Sequence, residues 1–409
     1  MICFLNRHKL ALENINFLFL LLLIISLPTQ ETPKLIFWGI FVVSSLLLYI
    51  INPNKKKWDL LDTLIICWMF SGIIVAYFAG LHHKEWSGST DLLIFTSVLL
   101  IFKKCDTPYK NINIIFNIIL LSTLLASMLA IWQLVVLNNR EFIEFHSVGH
   151  VNHTAIYLSL SLAVIISLLY TRWKSSTIAG RLFYLAVYSS ISITLVLTNS
   201  RAAILASFLL LLCCAWLYRK QILLSLTLLS LLLAFIGGNY LVSGEGVINK
   251  QIDQVERGIF FQARIKIWRG ALLAWQQYPV FGVGIKNYPQ IDIDKLLDWC
   301  SKSGDSCHAD DYQPYAHAHS VYINTLAERG IFGLLVVFLN ILMLIFLLYK
   351  YRPNKSDTSD YAMLWTAASG VIFLNLVIGI FNTSLHHEHA LLSMVVIGLW
   401  LGKTPLRTM

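Results

Sequence analysis

Apolar runs recur along the chain at about 15–28, 35–52, 60–79, 92–102, 112–137, 154–171, 182–198, 202–218, 221–238, 331–349, 361–382 and 390–402. A helix needs about 20 mostly apolar residues to cross hydrocarbon. Most of these runs approach that length, although 92–102 and 390–402 are short. Polar connections between them are brief except for residues 239–330. The pattern predicts an all-α polytopic membrane protein with about 12 transmembrane helices and one large, partly helical outer loop. Residues 1–238 carry helices one to nine, 239–330 the loop, and 331–409 helices ten to twelve. Phe17 to Leu27 could pass for a signal-peptide core. Only Pro28-Thr29-Gln30 follows it, with no small-residue cleavage site, so it reads as a retained first helix.

Composition agrees. The 409 residues are 57% hydrophobic and 13% charged, where soluble domains carry about 25% charged residues. The net charge of +9 would suggest nucleic acid in a soluble protein. Here the basic residues set topology instead. With a cytoplasmic N-terminus, eighteen of the 31 Lys and Arg fall on inner connections, among them Lys55/Lys56/Lys57, Lys103/Lys104, Arg172/Lys174 and Arg352. Four (Lys34, Lys84, Arg140, Arg201) fall on short outer ones. The remaining nine lie in 239–330, a segment long enough to escape the rule. Both termini then lie inside. Eleven of the 12 histidines fall on the outer side. Of the seven cysteines, Cys300 and Cys307 bracket a hydrophilic stretch of the outer loop. In an oxidising compartment they can close a disulfide; two separate thiols suit the spacing equally.

An irregular connection this long is usually functional or disordered. Trp268, Trp275 and Trp299 argue for a folded one. Gln262 to Trp275 reads as a helix ending near Tyr278-Pro279, with Arg264, Trp268, Ala271 and Trp275 on one face. Arg264 there either stacks on Trp268 or aims a guanidinium fork at an anion. Phe281-Gly282-Val283-Gly284 permits a tight turn. Continued as a helix, His319 shares a face with Ile323, Leu326, Gly330 and Gly333, whose small residues would admit a neighbouring helix. His317 is the rival imidazole. Thr198-Asn199-Ser200-Arg201 interrupts an apolar stretch, leaving Arg201 at the outer face as an anchor to headgroups or a functional group. His386-His387-Glu388-His389 reads first as a polar loop at a headgroup interface, and second as a site for phosphate groups or a metal.

At these positions the sequence resembles the O-antigen ligase and polymerase superfamily of Gram-negative inner-membrane glycosyltransferases. Its ligases carry His, then Asn/Ser/Gln, nine residues, Gly, two residues, and Gly/Thr/Tyr. His319-Ser320, Gly330 and Gly333 fit every position. Arg201 and Leu205 match a second motif, Arg-three residues-Leu. Arg264, Trp268, Gly282 and Gly284 stand where the family has an Arg and a glycine-rich turn. Gly149 to Asn152 is similar to its outer segment before the sixth span.

The resemblance implies transfer of an undecaprenyl-diphosphate-linked O-antigen glycan to lipid A–core oligosaccharide in the periplasmic leaflet. It also implies no cofactor, metal ion, nucleotide hydrolysis or nucleic acid. His319 would be the general base and Arg201 and Arg264 would hold the diphosphate; Trp268, Asn152 and Tyr322 would contact substrate. Alternatives are an O-antigen polymerase, a protein O-oligosaccharyltransferase or, from another class, a secondary transporter. Transporters usually show related halves with binding at the midplane, whereas these residues gather at one face.

Overall fold

The computed structural model describes residues 9–52, 56–105, 112–138, 140, 142–242, 262–302, 307–354 and 357–404. Lys55, Lys250, Arg257 and Asp305 lie outside them. Among the described residues there are fourteen α-helices and no strand: α1 (Lys9–Ser26), α2 (Glu31–Ile51), α3 (Leu60–Tyr77), α4 (Glu85–Lys104), α5 (Ile112–Val135), α6 (Val151–Arg172), α7 (Ile178–Leu197), α8 (Arg201–Leu217), α9 (Ile222–Val242), α10 (Gln262–Gln277), α11 (Ile293–Lys302), α12 (Val321–Lys350), α13 (Ser359–Gly379) and α14 (His387–Lys403).

Among the described residues ten stretches are long and apolar enough to span a membrane: α1–α7, Arg219–Asn239, α12 and α13. Helices α8 and α14 bring the bundle to twelve but have only 17 residues each. The chain is a multi-pass membrane protein. Two expectations of length needed correction. The short run 92–102 belongs to a 20-residue helix beginning at Glu85. The run 390–402 belongs to α14, buried without interruption from Glu388 to Leu401. A helix shielded by α4, α6 and α13 can carry Glu388, His389 and Ser393, because protein surrounds it instead of lipid.

The large loop is shorter than its apolar pattern suggests. Helix α12 starts at Val321, so 321–330 is helical, and Gly330 (φ 60°, ψ −167°) breaks it before the long apolar part. Residues 262–320 form a small cap with its own core, including Ala271, Leu296, Trp299 and Ala318, separate from the core of the bundle. Cys300 and Cys307 are joined in a disulfide within it.

Candidate active site

The site is assembled from four places at the end of the bundle that carries the cap. The first is the turn between α7 and α8. Asn199 takes a left-handed φ of 55°, which asparagine tolerates, and α8 begins at Arg201. Ser200 Oγ lies 3.2 Å from Asn152 Oδ1 in the first turn of α6, so Asn152 braces this turn. Arg201 is exposed at the mouth. Leu205, one turn on, is exposed on the outer surface of α8, away from these groups.

The second place is α10. Its buried face is Ile267, Gly270, Ala271 and Ala274, so the Arg264–Trp268–Trp275 stripe flanks the contact instead of making it. Trp268 Nε1 donates to the Ala318 carbonyl at 2.9 Å and Trp275 Nε1 to Pro279 at 3.2 Å. Arg264 does not stack on Trp268: its guanidinium lies 5.4 Å from the Phe381 ring. Among the described residues no carboxylate pairs with it. Burial first, and then the neighbouring Arg201 cation, lower the Arg264 pKa. The two guanidinium groups thus share one field.

The third place corrects the helical-face reading of His319. Helix α12 begins two residues later, and His319 has a left-handed φ of 48°. It therefore sits in the entry turn, as His317 does. The His319 N–H donates to His317 Nδ1 at 3.2 Å. The two rings are 4.2 Å apart, and Tyr315 lies 4.6 Å from His319. Burial pushes His319 down to about 4, the Arg264 cation adds to this, and the Asn382 amide opposes it. Burial and His319 push His317 down to about 3. Both imidazoles are therefore neutral at pH 7, and the His317 Nδ1 lone pair is taken by the His319 N–H.

The fourth place escaped the sequence reading. Buried His153, on α6, lies 5.8 Å from His317, 5.4 Å from His387 and 5.2 Å from His389 between ring centroids. The outer-side histidine count held the only hint; nothing in it joined α6 to α14. Among the described residues no three His, Cys, Asp or Glu side chains are disposed to hold a metal ion.

The glycines have a different role from the one their spacing suggested. A Cβ on Gly330 would fall 2.2 Å from Val280 O, and one on Gly282 would fall 2.4 Å from the Glu328 carbonyl carbon. Gly330 thus admits the backbone of the 280–284 turn, not a neighbouring helix. Gly333 leaves room for the side chain of Arg329 on its own helix. Four hydrogen bonds join the two segments: Val283 N to Ala327 O, Gly284 N to Glu328 O, Ile331 N to Pro279 O and Phe332 N to Val280 O. A Gly284 Cβ would meet Asn287 and Ala79. Ser320 stands just before α12, and its hydroxyl donates to the Gly379 carbonyl instead of capping the helix. Tyr322 donates to Leu376 O on α13 and lines an apolar recess with Trp68 and Leu344. It stands apart from the Arg–His group. A cleft lined by Asp91, Lys286, Asn324, Glu328 and His387 among others opens beside the start of α12.

Arg201, Arg264, His319 and the brace Asn152 therefore come together, with Trp268 behind His319, while Leu205 and Tyr322 do not. Residues 184–338 match the family model described as O-antigen ligase. Over these residues the chain is similar to the O-antigen ligase superfamily. The matched residues run from α7 through the cap into α12 and include Arg201, Arg264 and His319. No curated protein matches the chain.

Proposed function

We propose that the protein transfers a glycan from undecaprenyl diphosphate to lipid A–core oligosaccharide in the periplasmic leaflet of the Gram-negative inner membrane. The observation that carries this reading is the Arg201–Arg264 pair beside neutral His319, with no carboxylate on Arg264 among the described residues. Arg264 is left without a countercharge among the described residues until an anion enters, and a guanidinium fork suits phosphate oxygens.

In the proposed reaction the acceptor hydroxyl oxygen attacks the anomeric carbon as the bond to the diphosphate oxygen breaks. His319 takes the hydroxyl proton, the undecaprenyl diphosphate leaves with the bonding pair, and the two arginines stabilise its charge. Displacement in one step inverts the anomeric configuration. The entering diphosphate also offsets the Arg264 field that lowers His319, strengthening the base when it is needed. The Cys300–Cys307 disulfide supports a cap exposed to the oxidising periplasm. A polymerase would use the same donor site, and the acceptor separates the two.

Deletion in a smooth Gram-negative host tests the reading. The expected result is lipid-linked O-antigen accumulating beside uncapped lipid A–core. Core capped by a single repeat unit would mean polymerase. Complementation with His319→Ala should lower transfer by about 100- to 10,000-fold, the range of general acid–base catalysis. Near-normal transfer by that variant would remove the base.

A further inference from the structure

The geometry points to Glu328 and Asn324 as positioning residues for His319, through a side-chain relay that fixes the backbone before the imidazole. This rests on the reading of His319 as the base. Asn324 Oδ1 accepts the Ala318 N–H at 2.9 Å. Asn324 Nδ2 donates to Glu328 Oε2 at 3.0 Å, and Glu328 Oε1 accepts the Lys286 N–H at 3.1 Å. On the other side of Ala318, Trp268 holds its carbonyl, and His317 accepts the next N–H, that of His319. Both peptides flanking Ala318 are therefore anchored where the chain enters the left-handed conformation of His319. A non-glycine residue in that conformation is strained and persists only when its surroundings hold it.

The choice of a carboxylate is informative. Glu328 is 7% exposed, and burying an anion is expensive. Its neighbour Arg329 is turned toward Ser71, where Nη2 donates at 2.6 Å. Both Glu328 oxygens instead accept from neutral donors. Only a carboxylate offers two acceptors; a glutamine at this position would have one acceptor and one donor. The relay therefore has a polarity running from the glycine turn to the catalytic loop. The 280–284 turn that bonds the Ala327 and Glu328 carbonyls sets its far end.

Reversing that polarity tests the assignment. Asn324→Asp alone sets two carboxylates face to face. Glu328→Gln alone sets amide against amide, or abandons the Lys286 N–H. Together they restore every bond: the carboxylate introduced at position 324 would accept from Ala318 and from the amide introduced at position 328, whose oxygen would accept from Lys286. In purified protein, each single variant should lower kcat roughly 10- to 100-fold, the loss expected for a charge-assisted buried bond, with the KM for the lipid-linked donor little changed. The double variant should recover most of kcat. If a single variant does not fold, the double variant still decides. A folded double variant no better than the singles would overturn the relay, as would singles with wild-type kcat while His319→Ala is inactive. If His319→Ala is itself active, the base reading fails instead.

Discussion

Where α3 and α4 meet at one end of the bundle, Lys103 Nζ lies 2.7 Å from Asp59 and 2.6 Å from Asp62, and Lys104 lies 2.9 Å from Asp62 and bonds the Lys56 and Lys57 carbonyls. Asp59 and Asp62 close a capping box at the start of α3. At the other end, among the described residues, Arg264 has the Phe381 ring for company instead of a carboxylate, and Arg201 adds like charge. The first arrangement compensates its charge internally and asks nothing of a ligand. The second leaves positive charge at partial burial, a cost that the proposed diphosphate would recover on binding. Burial of charge thus means opposite things at the two ends, and partner inventory separates scaffold from site.

The sharpest test exchanges the two ends. Lys103→Ala strands part of the Asp59–Asp62 pair. It should cost about 3 kcal/mol of stability, at the lower edge for a broken buried pair because Lys104 remains, with turnover per folded molecule unchanged. Arg264→Lys should leave thermal stability near wild type and lower transfer about 100-fold, since an ammonium cannot supply the fork. Melting and turnover measured on both variants should cross. Parallel losses would mean that the outer arginine is structural too.

The pH dependence probes the same contrast. His319 must be unprotonated to act, and its pKa in the free protein is lowered to about 4. The acid limb of kcat/KM, which reports the free enzyme, should stay flat from pH 7 to 5 and fall through about 4. An ordinary imidazole near 6.5 would already lose about 30-fold by pH 5. Fold stability should follow. His317 and His319 bind protons more weakly folded than unfolded, so their contribution is complete above 6.5 and is lost as pH falls toward 4 and 3. A kcat/KM midpoint near 6.5 would show His319 solvated and remove the reason for its isolation.

Much of this was legible in the sequence. Hydrophobic length found every helix of the bundle, because lipid leaves the backbone no alternative to helices. It mis-sized α14, whose burial in protein hides it from a hydropathy pattern. The family motifs picked out Arg201, Arg264 and His319, which the fold gathers. Periodicity failed at His319 and Gly330, the two positive-φ positions at the ends of the first segment of α12. A 3.6-residue count assumes continuous helix, and positive φ interrupts it. His153 was out of reach because its partners come from the entry turn of α12 and from α14, far away in the chain.

The smallest expected effect concerns His317, where sequence and structure disagree. Without a motif role and ahead of the helix, His317→Ala reads from the sequence as close to wild type. In the fold its Nδ1 accepts the His319 N–H, so it holds one end of the peptide whose carbonyl Trp268 holds. Losing one neutral hydrogen bond costs about 1 kcal/mol, or roughly 5-fold in rate. It cannot cost much more, because Trp268 and Asn324 still restrain Ala318. His317→Asn, whose side-chain oxygen can accept the same N–H, should recover part of the loss. Turnover at matched expression separates the possibilities. Equal activity of wild type and His317→Ala would make the contact incidental. A loss as deep as that of His319→Ala would make His317 a second candidate for the base.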